Sequence, residues 1–212
     1  MTDWLRSGEE SQIVERLVTF GVGRQDAEYA SSEDMEWLRI QTSHQAKHAL
    51  LFVPCTLDYA QVYVMAWQNT SWHVTDHANF DCHYDESVAP DIKHIRNRRF
   101  EEVQVHHACE GHGTGFLQQD FKVFAIENSK LRLELDTEEV VNSSPTAVDH
   151  PHNLQQTSVF VLIPLGGSSS RAIEETRSRD LNGKLSVQRR FFRWNADKGR
   201  YTPGRFSPVE AP

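Results

Sequence analysis

Eleven histidines and three cysteines are the side chains of this sequence best suited to hold a metal ion. They are densest at His106-His107-Ala108-Cys109-Glu110-Gly111-His112, with Asp81-Cys82-His83 and the pair His73 and His77 as further donors. Zinc takes three or four such nitrogen and sulfur ligands in a tetrahedron, and a catalytic zinc leaves one position open. His107, Cys109 and His112 are therefore the candidate metal ligands, zinc is the candidate cofactor, and a metal-dependent enzyme is one reading of the chain. Against it, His106 and His107 are neighbours on an expected strand, so their side chains leave on opposite faces. No His-Glu-x-x-His and no closely spaced cysteine pair occurs. Surface or hydrogen-bonded histidines, with no cofactor, are the expectation.

The run Gly111-His112-Gly113-Thr114-Gly115 looks like a phosphate loop. Such a loop must open a helix whose N-terminus faces the anion. The residues after it, Phe116 to Ile126, read as extended chain, so a turn needing positive φ accounts for the glycines. There is no Gly-x-Ser-x-Gly, and the serines cluster in expected loops. No residue is assigned a catalytic role. The charge distribution says more. Arg177 to Pro212 carries nine Lys+Arg and three Asp+Glu, a balance of +6 in a chain of net charge −8, so the other 176 residues hold −14. Phe191, Phe192, Trp194, Tyr201 and Phe206 interleave with these cations. Basic and aromatic side chains together bind single strands and other polyanions. Alternation on a strand would instead put the arginines in water and the aromatics in the core. The acidic remainder also repels nucleic acid at a distance, so nucleic acid is not the expected partner. Arg190 and Trp194, with Gly111, His112 and Thr114, are the candidate ligand-binding residues.

The elements that must position these groups change type once. Ser7-Gly8-Glu9-Glu10 fits a capping box, Ile13, Val14, Leu17 and Val18 recur at helical spacing, and Gly21 sits where a helix ends. A shorter helix is expected over about residues 25–30. From Met35 the period becomes two. Leu131, Leu133 and Leu135 alternate with Lys130, Arg132 and Glu134, the pattern of a strand with one wet face, and Val103 and Val105 alternate with Glu102 and Gln104. Residues 50–53, 62–67 and 159–163 are apolar on both faces and should be central strands. Turn signals at 68–71, 127–130, 182–183 and 197–199 separate extended runs, so consecutive strands should pair as hairpins. Residues 140–156, with Pro145 and Pro151, should be a long exposed loop, and Gly166 to Ser170 a second flexible connection.

Two stretches resemble the FG-GAP/VCBS class of β-repeat, in which a calcium loop Asp-x-Asn/Asp-Gly-Asp-Gly precedes a strand. One is His94-Ile95-Arg96-Asn97-Arg98-Arg99-Phe100-Glu101-Glu102-Val103, leading into Glu110 to Phe116; the other is Asp180-Leu181-Asn182-Gly183-Lys184-Leu185. The resemblance implies β-repeat hairpins like those of propellers and of secreted bacterial proteins. In the first loop His94, Arg96 and Arg98 stand where carboxylates belong, and in the second Lys184 replaces the third ligand. Hard cations want oxygens there. The expectation is loops of that shape with basic side chains in place of the cation, so that added calcium leaves thermal stability unchanged.

At 212 residues the chain can bury one sizeable core, and no apolar run approaches the roughly 20 residues of a membrane span. Met1 to Arg6 lacks a basic start and an apolar stretch, so the chain as given reads as cytoplasmic, or as periplasmic or secreted if a signal has been removed. Cys55, Cys82 and Cys109 allow three buried thiols or one disulfide and a thiol. The expected architecture is mainly β: an antiparallel meander or two-layer sheet of about ten strands over residues 35–212, with a small helical cap over residues 1–34. The expected function is non-enzymatic, a binding or interaction module, with oligomeric state open. Its partner surface would lie among Gly111 to Gly115, residues 140–156 and the basic C-terminal hairpin. A metal-dependent enzyme and a polyanion binder are the alternatives.

Overall fold

A computed structural model describes residues 9–32, 35–42, 47–54, 59–81, 88–96, 99–111, 115–144, 152–165 and 171–209. Among these there are two helices, α1 (Glu10–Phe20) and α2 (Arg24–Ser32), and thirteen strands. The first sheet holds β1 (Glu36–Ile40), β2 (His48–Val53), β3 (Tyr59–Gln68) and β4 (Ser71–Asp81). The second holds β5 (Val88–Lys93), β6 (Glu102–Gly111), β7 (Phe116–Glu127), β8 (Lys130–Ser143), β9 (Leu154–Pro164), β10 (Arg171–Leu181), β11 (Lys184–Asn195), β12 (Arg200–Pro203) and β13 (Ser207–Pro208). None of the described helices is long and apolar enough to cross a membrane.

Ile13, Val14, Leu17 and Phe20 form the buried stripe of α1. The helix ends as expected at Gly21, whose φ of 99° lets Gly21 N donate to Val18 O and Val22 N to Leu17 O. The expected capping box is not what starts it: the N-cap is Glu9, with no side-chain cap, and Ser7 lies outside the described residues. The helices lie on Ala49, Leu51, Val53, Tyr63 and Met65 of the first sheet. The alternate residues of that sheet, Leu50, Phe52, Val62, Val64 and Phe80, pack on Val103, Val105 and Ile126 of the second. The order is helices, four-stranded sheet, nine-stranded sheet, and β2 is buried along its whole length because both its faces are covered.

Within each sheet the strands run antiparallel in sequence order from β1 to β4 and from β5 to β12. The expected turns are present, with positive φ at Asn69, Thr70, Asn128, Ser129, Asn182, Gly183 and Gly199. The expected long loop is shorter, because Val140 to Ser143 finish β8 and pair with Leu154 to Thr157 of β9. Residues 145–151 and 166–170 lie outside the described residues.

Strand β8 carries two bulges against β7. Val123 faces Leu135 and Phe124 faces Leu133, so Glu134 is an extra residue, and Glu139 is skipped in the same way between Glu138 and Val140. A bulge bends its strand and re-aims its side chains. The consequence contradicts the simple alternation read from the sequence. Glu134 is 1% exposed and its neighbour Leu133 is 45% exposed, while Leu135 is buried. Beyond the bulges β8 leaves β9, with which it pairs only from Val140 to Ser143. The second sheet curls until β12 comes within 8 Å of β8, Cα to Cα. Phe121, Val123, Leu135, Ile173, Phe192 and Tyr201 fill the curl. Strand β9 has a neighbour on each side, as its apolar run suggests, but only one face is covered. Val159 and Val161 point outward, 59% and 49% exposed.

Candidate functional site

Charges line the inside of this curl, and they separate into satisfied and unsatisfied groups. On β10, Glu175 is fully buried and both its oxygens are used. Ser158 Oγ and Arg177 Nε each donate to Oε1 at 2.8 Å, and Arg190 Nε donates to Oε2. Arg190 also donates from Nη2 to Thr137 Oγ1 at 3.2 Å, and its guanidinium lies over Phe192 and Phe206 at 4.5 and 4.3 Å. The spacing Arg190-x-Phe192-x-Trp194 places all three on one face, so the expectation that the arginines of this segment point to water fails for Arg190 and Arg177.

The second group is incomplete. Arg96 reaches in from the segment joining β5 to β6, its Nη1 3.3 Å from Glu134 Oε1 and its Nε 3.5 Å from Glu102 Oε1. Its guanidinium lies 4.5 Å over Trp194. Arg132 Nη2 donates to Glu134 Oε1 and contacts Glu127 Oε1, each at 2.7 Å. Ile95 N and Arg96 N donate to Glu102 Oε2. Among the described residues Glu134 Oε2, Glu102 Oε1 and the Tyr201 hydroxyl have no hydrogen-bond partner, although all three are buried; Glu102 Oε1 has only the ion-pair contact with Arg96. Burial pushes the Glu134 carboxyl up to about 7 against the pull of Arg96 and Arg132. Burial likewise raises Glu102, opposed by its two backbone donors, and raises the Tyr201 phenol.

Glu134 and Tyr201 also line a cleft of about 520 Å³ between β8 and the end of the β11–β12 hairpin. Its walls are residues 133–137 of β8 facing Arg190, Phe192, Lys198 and residues 200–203. Strand β12 pairs with β11 alone, and no backbone hydrogen bond joins it to β8 among the described residues. Pro203 contributes no N–H to this edge. Neighbouring paired strands lie about 4.8 Å apart, and inserting a further strand would need roughly twice that. At their nearest points Cα atoms of β8 and β12 come within 8 Å, yet the two strands do not pair. The volume of the cleft falls in the range of small-molecule pockets.

The residues singled out from the sequence are dispersed. Arg190 lines the cleft, and Trp194 lies behind it, edge-on to Tyr201 at 5.5 Å. Gly111 ends β6, opposite Phe116, while His112 and Thr114 lie outside the described residues. The glycine run leads into strand β7 and not a helix, with Gly115 at φ 68°. His107 faces the first sheet, edge-on to Phe80 at 5.7 Å. His106 faces the other way and bonds Glu139 Oε2 through Nδ1 at 2.6 Å, with the Gln104 amide on Nε2. The side chain of Cys109, together with Cys55, Cys82 and His83, lies outside the described part of the chain. Among the described residues no group of three or more His, Cys, Asp or Glu is arranged to hold a metal. Of the two loops compared with calcium repeats, one is a two-residue hairpin turn in which Asp180 Oδ1 accepts from Gly183 N at 2.8 Å.

In the sequence Arg96 stands out only as part of a calcium-loop-like stretch and Tyr201 only as one of the aromatics among the C-terminal cations, and nothing there singles out Glu134 or Glu102 as site residues. Glu134 reads there as the wet face of a strand, and only the bulge turns it inward. Arg190 is the visible signal, since its spacing from two aromatics puts a cation on an apolar face. No protein-family model, curated protein or solved structure matches the chain.

Proposed function

We propose that this protein is a binding module whose small-molecule ligand occupies the open seam between β8 and β12. The observation that carries the reading is the pair of buried polar atoms, Glu134 Oε2 and the Tyr201 hydroxyl, without hydrogen-bond partners among the described residues, on two residues that line that cleft. Buried polar groups are nearly always paired, and leaving one unpaired costs on the order of 1–3 kcal/mol. Elsewhere in the same curl Glu175 is fully paired, so the fold can satisfy a buried carboxylate where nothing else must reach it. A ligand hydroxyl or amine fits as the missing partner. The test is an amide-resolved NMR screen of the full chain against a library of neutral and charged sugars, hydroxy acids and amines. Ligands should shift residues 133–137 and 200–203 together, and Tyr201→Phe or Glu134→Gln should weaken them while the folded spectrum persists. A library that moves only other surfaces, or none, overturns the reading.

A further inference from the structure

The cleft is asymmetric in charge, and this asymmetry names a class of ligand. Of the ionised groups lining it, Asp136 shares Lys122 Nζ with Asp120, at 2.7 and 3.2 Å, and Arg190 shares Glu175 with Arg177. Glu134 sits between Arg96 and Arg132. Lys198 and Arg200 remain. Both are exposed at the β11–β12 turn, and among the described residues neither has an acidic partner. With Asp197 included, the turn at the mouth therefore carries one net positive charge in a chain of net charge −8. Below it lie a carboxyl oxygen of Glu134 and the Tyr201 phenol, each buried and without a hydrogen-bond partner among the described residues. Thr137 and Thr202 stand on the two walls between.

We infer that the ligand is a small hydroxylated anion. Its carboxylate or phosphate lies between Lys198 and Arg200, and a hydroxyl donates to Glu134 and pairs with Tyr201. This rests on the assignment of the cleft as the binding site and adds the polarity of the bound molecule. A neutral polyol would satisfy the floor and leave the mouth unused. A bare anion such as inorganic phosphate would use the mouth and leave the buried atoms unpaired. A molecule with both ends satisfies both, at the size the cleft admits. Cations placed at the mouth of a low-dielectric cleft also raise the local concentration of anions, so association should be salt-dependent.

The experiment is a calorimetric and NMR titration of the full chain with four probes: glucose, gluconate, glucose 6-phosphate and inorganic phosphate. The expected result is that gluconate or glucose 6-phosphate binds at least about tenfold more tightly than glucose and than phosphate, a difference of about 1.4 kcal/mol. The two acids separate a carboxylate source from a phosphate source. The exposed double variant Lys198→Glu/Arg200→Glu should lose that preference. Arg179→Glu/Lys184→Glu, the same charge change at the far β10–β11 turn, should keep it. If glucose shifts residues 133–137 and 200–203 as strongly as the acids, or if both double variants behave alike, the anionic assignment is overturned while the cleft stands. If none of the four probes shifts these residues at millimolar concentration, the assignment is also overturned, and the broader screen alone decides on the cleft.

Discussion

Replacing Glu134 by Gln should stabilise the protein at alkaline pH, although it removes a carboxylate that contacts two arginines. In the folded chain burial lifts the Glu134 carboxyl from 4.5 to about 7, outweighing Arg96 and Arg132. Between those values the unfolded chain has already released its proton and the folded chain still holds it. The stabilising contribution is therefore whole below pH 4.5 and is lost as pH rises through about 7. The loss over the full window is roughly 3 kcal/mol. Glutamine copies the protonated side chain and cannot ionise, and its amide oxygen can still accept from Arg96 and Arg132. Urea unfolding of both proteins from pH 5 to pH 8.5 measures the difference. Glu102, which burial also raises and whose charge pushes Glu134 up, is present in both proteins; without the Glu134 charge beside it, it ionises more readily in the variant, which adds to the variant's lead at the alkaline end. The variant should lead by about 1 kcal/mol at the acid end and by about 3 kcal/mol at the alkaline end. A variant that instead falls behind as pH rises would show that the arginines hold the charged form, and the reasoning would be wrong.

Other substitutions probe the geometry around the same carboxyl. Gly199 has φ 58°, and a Cβ there would lie 2.5 Å from Arg132 Nη1, whereas at Gly183, φ 82°, it would meet nothing within 4 Å. Gly183→Ala should cost about 1 kcal/mol for the backbone alone, and Gly199→Ala measurably more, because Arg132 is pinned by Glu127 and Glu134; equal losses in a denaturant titration would count against that pinning. Leu133→Gln should change stability by no more than about 0.5 kcal/mol and Leu135→Gln should cost about 2–4 kcal/mol, whereas unbroken alternation requires the two to match. Arg190→Leu should cost roughly 3 kcal/mol by leaving Glu175 with Arg177 as its one remaining guanidinium, and a near-neutral melting temperature would mean that Glu175 is not held as the structure has it.

How much of this can be read from the sequence depends on which forces are local. Each of the four turns has an Asn or Gly at positive φ, and β2 is an apolar run too short for a helix, so both are visible within a window of ten residues. The helical cap is visible for the same reason. Bulges are not. Leu131 to Leu135 reads as a regular strand because nothing in those residues says that the sheet must curl around Phe121 and Ile173, and the curl is what requires an extra residue at Glu134. The inward arginines fall between these cases. Arg190 shares its parity with Phe192 and Trp194, a local fact, but its carboxylate partner Glu175 lies 15 residues away on the facing strand. A charge and its partner can be paired only once the register of β10 and β11 is known.

The same curl explains why the seam is more than an unfinished edge. Exposed strand edges invite pairing with other chains, and proteins blunt them with proline, charge and bulges. All three stand here: Pro203 on β12, Lys198 and Arg200 beside it, and two bulges in β8. Those devices would suffice to protect the edge with an apolar floor beneath it. Burying carboxylates there adds a desolvation cost that their arginine partners seldom recover in full, and at Glu134 the partners leave one oxygen empty. The floor is thus less stable than a plain hydrophobic closure would make it, next to a cleft whose mouth is open and positive. A ligand carrying a hydroxyl at one end and an anion at the other would meet both demands, which edge protection alone does not explain.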